Sequence, residues 1–432
     1  MFTPGALLSV ICISFWVSPC LAAFSSKGMN NVVAYYGQGS NQRPLAALCG
    51  DDSIDIIILS FVHLFPAQAN GYPGLNFGNQ CSGEKYRGPG YNGINDPSKD
   101  ALLKCPSIQR DLNFCRYATP QKKILLSLGG GTDAYQLTGA SDGVNLATQL
   151  WYMFGPRNQT MVDAGIPRPF DYRGGGFIVD GFDLDIEHPP VDGGAGYIAL
   201  SKTLQSFFKQ ALPVKYYLTA SPQCVIPDAN MKDIIAAIPF DLLFIQFYNT
   251  YTCSAKRWAR LNPSYTSGGS FANAGFTIFQ WTSYLAATTS KDAKIFLGLT
   301  TVGTTPDYTL TIQETANIAN AYSCNSSFAG VSIWEAESAF NRTSGFRNYF
   351  QNLKPALIQA VLGAKECSAK TANVVPLREH VVPKTLFLFV AAHSDIARHQ
   401  VLIFQMPGVG RAASLPMGHA SRLCPLWPSR SD

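Results

Sequence analysis

The densest run of ionisable chemistry in the chain is Asp180-Gly-Phe-Asp183-Leu-Asp185-Ile-Glu187, followed by His188-Pro-Pro190. In an extended strand, alternate side chains share a face. Asp183, Asp185 and Glu187 therefore point one way, and Phe182, Leu184 and Ile186 the other. The apolar set suits packing against helices, so the acidic set must point into the interior of a sheet or barrel. Crowding carboxylates there is costly, because burial disfavours each charge and neighbours repel. At least one should hold its proton near neutral pH. His188-Pro-Pro190 ends the strand, which leaves Glu187 at its carboxyl mouth. A protonated carboxyl in a cleft can protonate a poor alcohol leaving group, which is what breaking a glycosidic bond requires. Two other readings compete on these residues alone. Alternating acids can solvate a surface strand, although Ile178-Val179 and the apolar set argue against it. The acids could also hold a metal, but the glycine-turned spacing of a calcium loop is missing and His188 is the nearby imidazole. No metal or cofactor is expected.

Eight β-rich runs can position such a strand: Asn31–Tyr36, Ile56–Val62, Ile124–Gly129, Val179–Glu187, Tyr216–Ser221, Leu242–Tyr248, Ile295–Thr300 and Gly330–Trp334. Most are nearly continuous Val, Ile, Leu and Phe, as in parallel strands covered on both faces. Helical stripes lie between several of them. Leu200, Leu204, Phe207, Phe208 and Ala211 align within 197–211, and Ile312, Ala316, Ala319 and Tyr322 within 311–322. Alternating strands and helices give an α/β fold, and eight units predict a closed (β/α)8 TIM barrel. A doubly wound open sheet is the alternative on pattern alone. Residues 66–122, rich in Gly, Pro and Asn with Cys81, Cys105 and Cys115, read as an insertion after the second strand, held by disulfides.

The Asp-x-x-Asp-x-Asp-x-Glu pattern resembles the signature of glycoside hydrolase family 18, the chitinases and their relatives. Leu125-Leu-Ser127-Leu-Gly129-Gly130-Gly131 is similar to that family's third-strand motif, Gln246-Phe-Tyr248-Asn249 to its sixth-strand motif, and Trp334 to its floor tryptophan. Ala34-Tyr35-Tyr36-Gly37-Gln38 and Ser221-Pro-Gln-Cys224 resemble the plant-type (class III) and fungal branch. The resemblance covers roughly residues 30–350. It implies a retaining, substrate-assisted endo-chitinase acting on chitin or chito-oligosaccharides, an exception to the scheme of two catalytic carboxylates. Glu187 would protonate the glycosidic oxygen while the substrate's N-acetyl oxygen attacks the anomeric carbon. Asp185 would orient the acetamide, Asp183 would share a proton with Asp185, and Tyr248 would donate to the acetamide oxygen. Asp180, Ser127 and Gly129 would be structural. Tyr35, Phe61, Asn76, Gly130, Gln246, Asn249 and Trp334 would bind sugar, with plain core packing as the alternative for Tyr35 and Phe61. His63 is expected to be a satisfied structural histidine. The class III pattern also implies the disulfides Cys49–Cys115, Cys81–Cys105 and Cys224–Cys253; a Cys324–Cys367 bond is a guess, and Cys424 is unassigned. The segment Arg157–Gly176 is longer than in simple plant relatives and could reshape the cleft. A lectin or inhibitor on the same barrel, an endo-β-N-acetylglucosaminidase and a lysozyme-like hydrolase remain open.

Composition bounds the setting. Of 432 residues, 47% are apolar and 14% charged, enough for a large core. The net charge of +5 comes without a basic run or interleaved aromatics, so no nucleic-acid partner is expected. Residues 1–23 read as a secretory signal, from the apolar Leu7–Val17 followed by Pro19 and Ala22-Ala23. An uncleaved membrane anchor is the alternative; after cleavage no membrane association is expected. The catalytic barrel would span 24–366, with an extension of unknown role over 367–432. Asn158, Asn325 and Asn341 each begin a glycosylation pattern. A monomer, secreted to the cell exterior or wall, is expected.

Overall fold

The computed structural model describes residues 23–303 and 307–362, and the backbone of a short strand, Val374–Val375. Residues 1–22, most of the 367–432 extension, Cys367 and Cys424 lie outside the described residues.

Eight strands run in parallel: β1 (Asn31–Tyr36), β2 (Ile56–Leu64), β3 (Lys123–Gly130), β4 (Gly181–Ile186), β5 (Tyr217–Ala220), β6 (Leu242–Gln246), β7 (Lys294–Thr300) and β8 (Phe328–Trp334). Each pairs with its neighbours in order, and β1 bonds to both β8 and β2, which closes the sheet into a barrel and excludes the open-sheet alternative. The alternation along each strand sorts the core into two layers. Val33, Tyr35, Ile56, Ile58, Phe244 and Phe296 meet inside the barrel. Val32, Ala34, Ile57, Phe182, Leu184 and Ile186 join the larger layer beneath the helices. Because the apolar set of β4 faces the helices, its acids face inward.

Several expected boundaries move by a residue or two. β4 stops at Ile186, so Glu187 is the first residue beyond it, and β6 stops at Gln246, which leaves Tyr248 in the following loop. The expected helix at 311–322 starts at Ile312, because Thr311 caps it: the Thr311 hydroxyl accepts from the Glu314 N–H (3.1 Å) and the Glu314 carboxylate from the Thr311 N–H (2.7 Å).

Residues 66–122 are only partly an insertion. Gly74–Leu75 adds an antiparallel edge to β2, but the helix Pro106–Cys115 is the crossover that carries the chain from β2 to β3. The three disulfides implied by the class III pattern form, and the Cys324–Cys367 bond falls on a cysteine outside the described residues. Cys49–Cys115 ties the helix Leu45–Cys49 to that crossover, Cys81–Cys105 closes the insertion, and Cys224–Cys253 joins the loops after β5 and β6.

Arg157–Gly176 does not reshape the cleft. It connects the helix Ala140–Phe154 to the start of β4, at the amino end of the barrel strands, and none of its residues lines the cleft. Its order comes from Arg168, whose buried guanidinium donates to the carbonyls of Tyr152 (2.8 Å), Gly155 (2.8 Å) and Phe177 (3.2 Å). Asp180 also belongs to that end. It pairs with Lys123 (2.8 Å) and accepts from the Ile124 N–H (2.9 Å), fixing the base of β3 against β4.

Asn325 departs from its expected role as a glycan acceptor. It is 6% exposed, and its amide nitrogen donates to the Thr282 hydroxyl at 2.6 Å, which leaves no room for a sugar. Asn158 and Asn341 are exposed.

Candidate active site

The inward acids of β4 rise through the barrel in order. Asp183, with no exposed surface, lies deepest. Strand register sets Ser127 of β3 and Thr219 of β5 beside it. Its carboxylate accepts from Thr219 (2.6 Å), Ser127 (2.8 Å), Tyr35 (3.2 Å) and Ser221 (3.3 Å). Burial pushes its pKa up, and these hydroxyl donors pull it back.

Asp185 is 4% exposed and accepts from the Gln246 amide at 3.0 Å; the same amide nitrogen donates to the Ser221 carbonyl at 3.0 Å. The carboxyls of Asp185 and Glu187 hydrogen-bond to each other. Burial, then the charges of Glu187 and Asp183, raise the pKa of Asp185 well above the usual range. Glu187, half-buried at the mouth, is raised chiefly by burial; the hydrogen bonds to Gln246 and Asp185 oppose this, and the charge of Asp228 adds to it. Asp183's oxygens accept from these four hydroxyls, and its charge is one of the causes that raise Asp185.

Aromatic rings floor the cleft beside this pair. Trp334, at the end of β8, stacks against Phe61 of β2 (centroids 5.9 Å apart, planes 29°) and meets the edge of Tyr35 at 5.9 Å. The Phe61 ring rests on Gly130, where φ is +99° and a Cβ would lie 3.0 Å from the ring. At Gly129 (φ +108°), a Cβ would collide with the Asp185 carbonyl oxygen. Glycine here lets β3 approach β4 closely. Tyr248 stands over the acids from the loop after β6. Burial and then the charges of Asp185, Glu187 and Asp183 push its hydroxyl's pKa up, so it remains a donor. Asn249 and Asn76 complete the rim, Asn249 with φ at +63° and Asn76 with its side-chain amide oxygen Oδ1 accepting from the Gly78 N–H (2.9 Å). The cleft encloses about 490 Å³, within the range of small-ligand sites.

Every expected catalytic and binding residue except the wholly buried Asp183 lines this cleft. His63 lines the cleft wall, and burial lowers its pKa. Thr219 and Tyr135 were not legible in the sequence. Thr219 matters only through its register with Asp183. Tyr135 sits in an irregular loop, yet its hydroxyl accepts from the Glu187 N–H at 3.0 Å. Among the described residues, no group of three or more His, Cys, Asp or Glu is arranged to hold a metal.

The assembly can give a proton to an oxygen at the mouth, hold an amide beside it with Asp185 and Tyr248, and stack a ring on Trp334. The model of glycosyl hydrolases family 18 matches residues 31–354. The chain is 37% identical over 349 residues to Endochitinase A1 of Aspergillus fumigatus, a match covering 79% of this chain and 36% of that protein. It is 36% identical over 393 residues to a probable endochitinase of Arthroderma benhamiae, covering 86% of this chain and 49% of that protein. The chain thus spans between a third and a half of the length of these relatives. Among solved structures, the ICChI chitinase of Ipomoea carnea superposes with a TM-score of 0.54 at 22% identity, covering 76% of this chain and 99% of that one. A xylanase and α-amylase inhibitor protein of Scadoxus multiflorus gives 0.53 at 22%, covering 77% and 99%. Both share the fold.

Proposed function

This chain belongs to glycosyl hydrolases family 18, and from that premise we propose that it is a secreted endo-chitinase, cleaving β-1,4 links between N-acetylglucosamine units with retention of configuration. The observation that carries this reading is the pair of inward carboxyls Asp185 and Glu187, both lining a cleft floored by Trp334 and Phe61. In the reaction, Glu187 gives its proton to the glycosidic oxygen as that bond breaks. The carbonyl oxygen of the substrate's own N-acetyl group attacks the anomeric carbon from the other face. Asp185 accepts the acetamide N–H and balances the positive charge that develops on the ring so formed. Tyr248 donates to the acetamide oxygen. Glu187, now a carboxylate, takes a proton from the water that opens the ring, which restores the starting state.

The second reading is a catalytically silent lectin or inhibitor on the same barrel. Against it stand Asp183, Asp185, Glu187 and Tyr248, all present and arranged around one cleft. An endo-β-N-acetylglucosaminidase or lysozyme-like activity shares the acetamide chemistry. Separate incubations with chitin hexamer, peptidoglycan and an N-linked glycopeptide, followed by product separation, distinguish these. Short chitin oligomers released as the β-anomer are expected. Binding without cleavage of any substrate would replace the hydrolase with a lectin.

The reading extends to the setting. Residues 1–23 act as the signal, 24–366 form a monomeric catalytic unit, and 367–432 are an extension. The disulfides suit an oxidising compartment. Among the described residues no helix is long and apolar enough to cross a membrane. Asn158 and Asn341 are the sites open to a glycan.

A further inference from the structure

Glu187 lies where the barrel's backbone ladder runs out. The last β3–β4 pair is Gly130 with Ile186, and the last β4–β5 pair is Leu184 with Ala220. The Glu187 N–H is therefore one residue past the point where a neighbouring strand could accept it. A side chain fills that gap. The Tyr135 hydroxyl accepts from the Glu187 N–H at 3.0 Å and donates to the Gly130 carbonyl at 3.0 Å, with the Asp185 carbonyl 3.3 Å away as the alternative acceptor. One phenol oxygen thus bridges the carboxyl ends of β3 and β4.

The ring that carries this oxygen is itself held. Tyr135 has no exposed surface. Its ring lies 5.2 Å from that of Phe65 and 4.4 Å from that of His188, the residue after Glu187. It passes over Gly129, where a Cβ would come within 3.0 Å of the phenol oxygen. The missing side chain at Gly129 therefore serves both the approach of β3 to β4 and the seat of Tyr135.

We propose that Tyr135 is a positioning residue for Glu187: its hydroxyl replaces the missing strand partner and fixes the main chain from which the acid reaches the scissile oxygen. Tyr135 touches neither substrate nor the reacting atoms. Its effect passes through Glu187, so its loss falls on proton delivery and spares the sugar-binding floor of Trp334 and Phe61. A general acid works only within hydrogen-bond reach of its target, and a small misplacement is costly. This inference rests on the hydrolase reading above.

The test compares the full chain with Tyr135→Phe, which keeps the ring and removes the oxygen. Each is assayed on an N-acetylglucosamine tetramer and on a 4-nitrophenyl chito-oligoside, whose leaving group departs with little protonation. On the tetramer, kcat should fall roughly tenfold or more with KM within about twofold. On the aryl substrate the fall should be several-fold smaller. The ratio of the two rates does not depend on how much of the variant is folded, so partial unfolding cannot imitate the result. An equal loss on both substrates, a change in KM alone, or no change overturns the proposal. Failure of the wild-type protein to cleave either substrate overturns the hydrolase reading and this inference with it.

Discussion

The carboxyl groups of Asp185 and Glu187 hydrogen-bond to each other across the single residue Ile186, at the open end of β4. Burial raises the pKa of both, and each carboxyl acts on the other's titration. Asp183 beneath them is surrounded by the hydroxyls of Thr219, Ser127, Tyr35 and Ser221.

The pH dependence of kcat/KM should report this pair. Burial raises both members of the pair, so the alkaline limb should lie above the ordinary glutamate value of about 4.3. The Gln246 amide hydrogen-bonds to both carboxyls and favours their charged forms. Gln246→Leu removes that donor, so the limb should move to still higher pH while the maximal rate falls. A pH–rate profile for each protein checks this; a limb unmoved or shifted downward in the variant contradicts it.

Asp185→Asn should stabilise the fold at neutral pH. The folded-state pKa of Asp185 is raised, so the stability linked to its proton is present below the unfolded value of about 3.9 and is lost as pH rises through the folded value. Asparagine does not ionise and escapes that loss. Calorimetry at pH 7 should show a Tm gain of about 1–3 °C, shrinking towards pH 3. A gain of equal size at both pH values, or a loss at pH 7, would be inconsistent with a buried carboxylate under strain.

Gly130→Ala probes the floor. The added methyl meets the Phe61 ring at 3.0 Å, and φ of +99° disfavours any side chain. Phe61 must shift from its stack on Trp334, so KM for chito-oligomers should rise several-fold, and Tm should fall. Steady-state kinetics on the tetramer with a melting curve checks both. An unchanged KM would show that the Phe61–Trp334 stack does not form the sugar platform.

Much of this site was legible because strand alternation is a local property. Phe182, Leu184 and Ile186 had to face the helices, and that alone turned Asp183, Asp185 and Glu187 inward. The eight strands were legible for the same reason, as buried parallel strands carry near-continuous apolar runs. What could not be read depends on register or on loops. The hydroxyl cage of Asp183 needs Thr219 aligned across β5, and the anchor of Glu187 needs Tyr135 to return from a stretch with no periodicity. The helix Pro106–Cys115 was hidden because its Gly- and Asn-rich approach made the whole of 66–122 read as insertion. Arg157–Gly176 was misassigned because length alone does not say which end of a barrel a loop occupies.

The most direct measurement is turnover of chitin tetramer by Glu187→Gln beside its affinity for the same tetramer. Glutamine keeps the size and hydrogen-bonding reach of the side chain but has no acidic proton. Turnover should drop by about 100-fold or more, while equilibrium binding stays near that of the wild type. A variant that hydrolyses the tetramer at close to the wild-type rate would contradict the assignment of Glu187 as the acid.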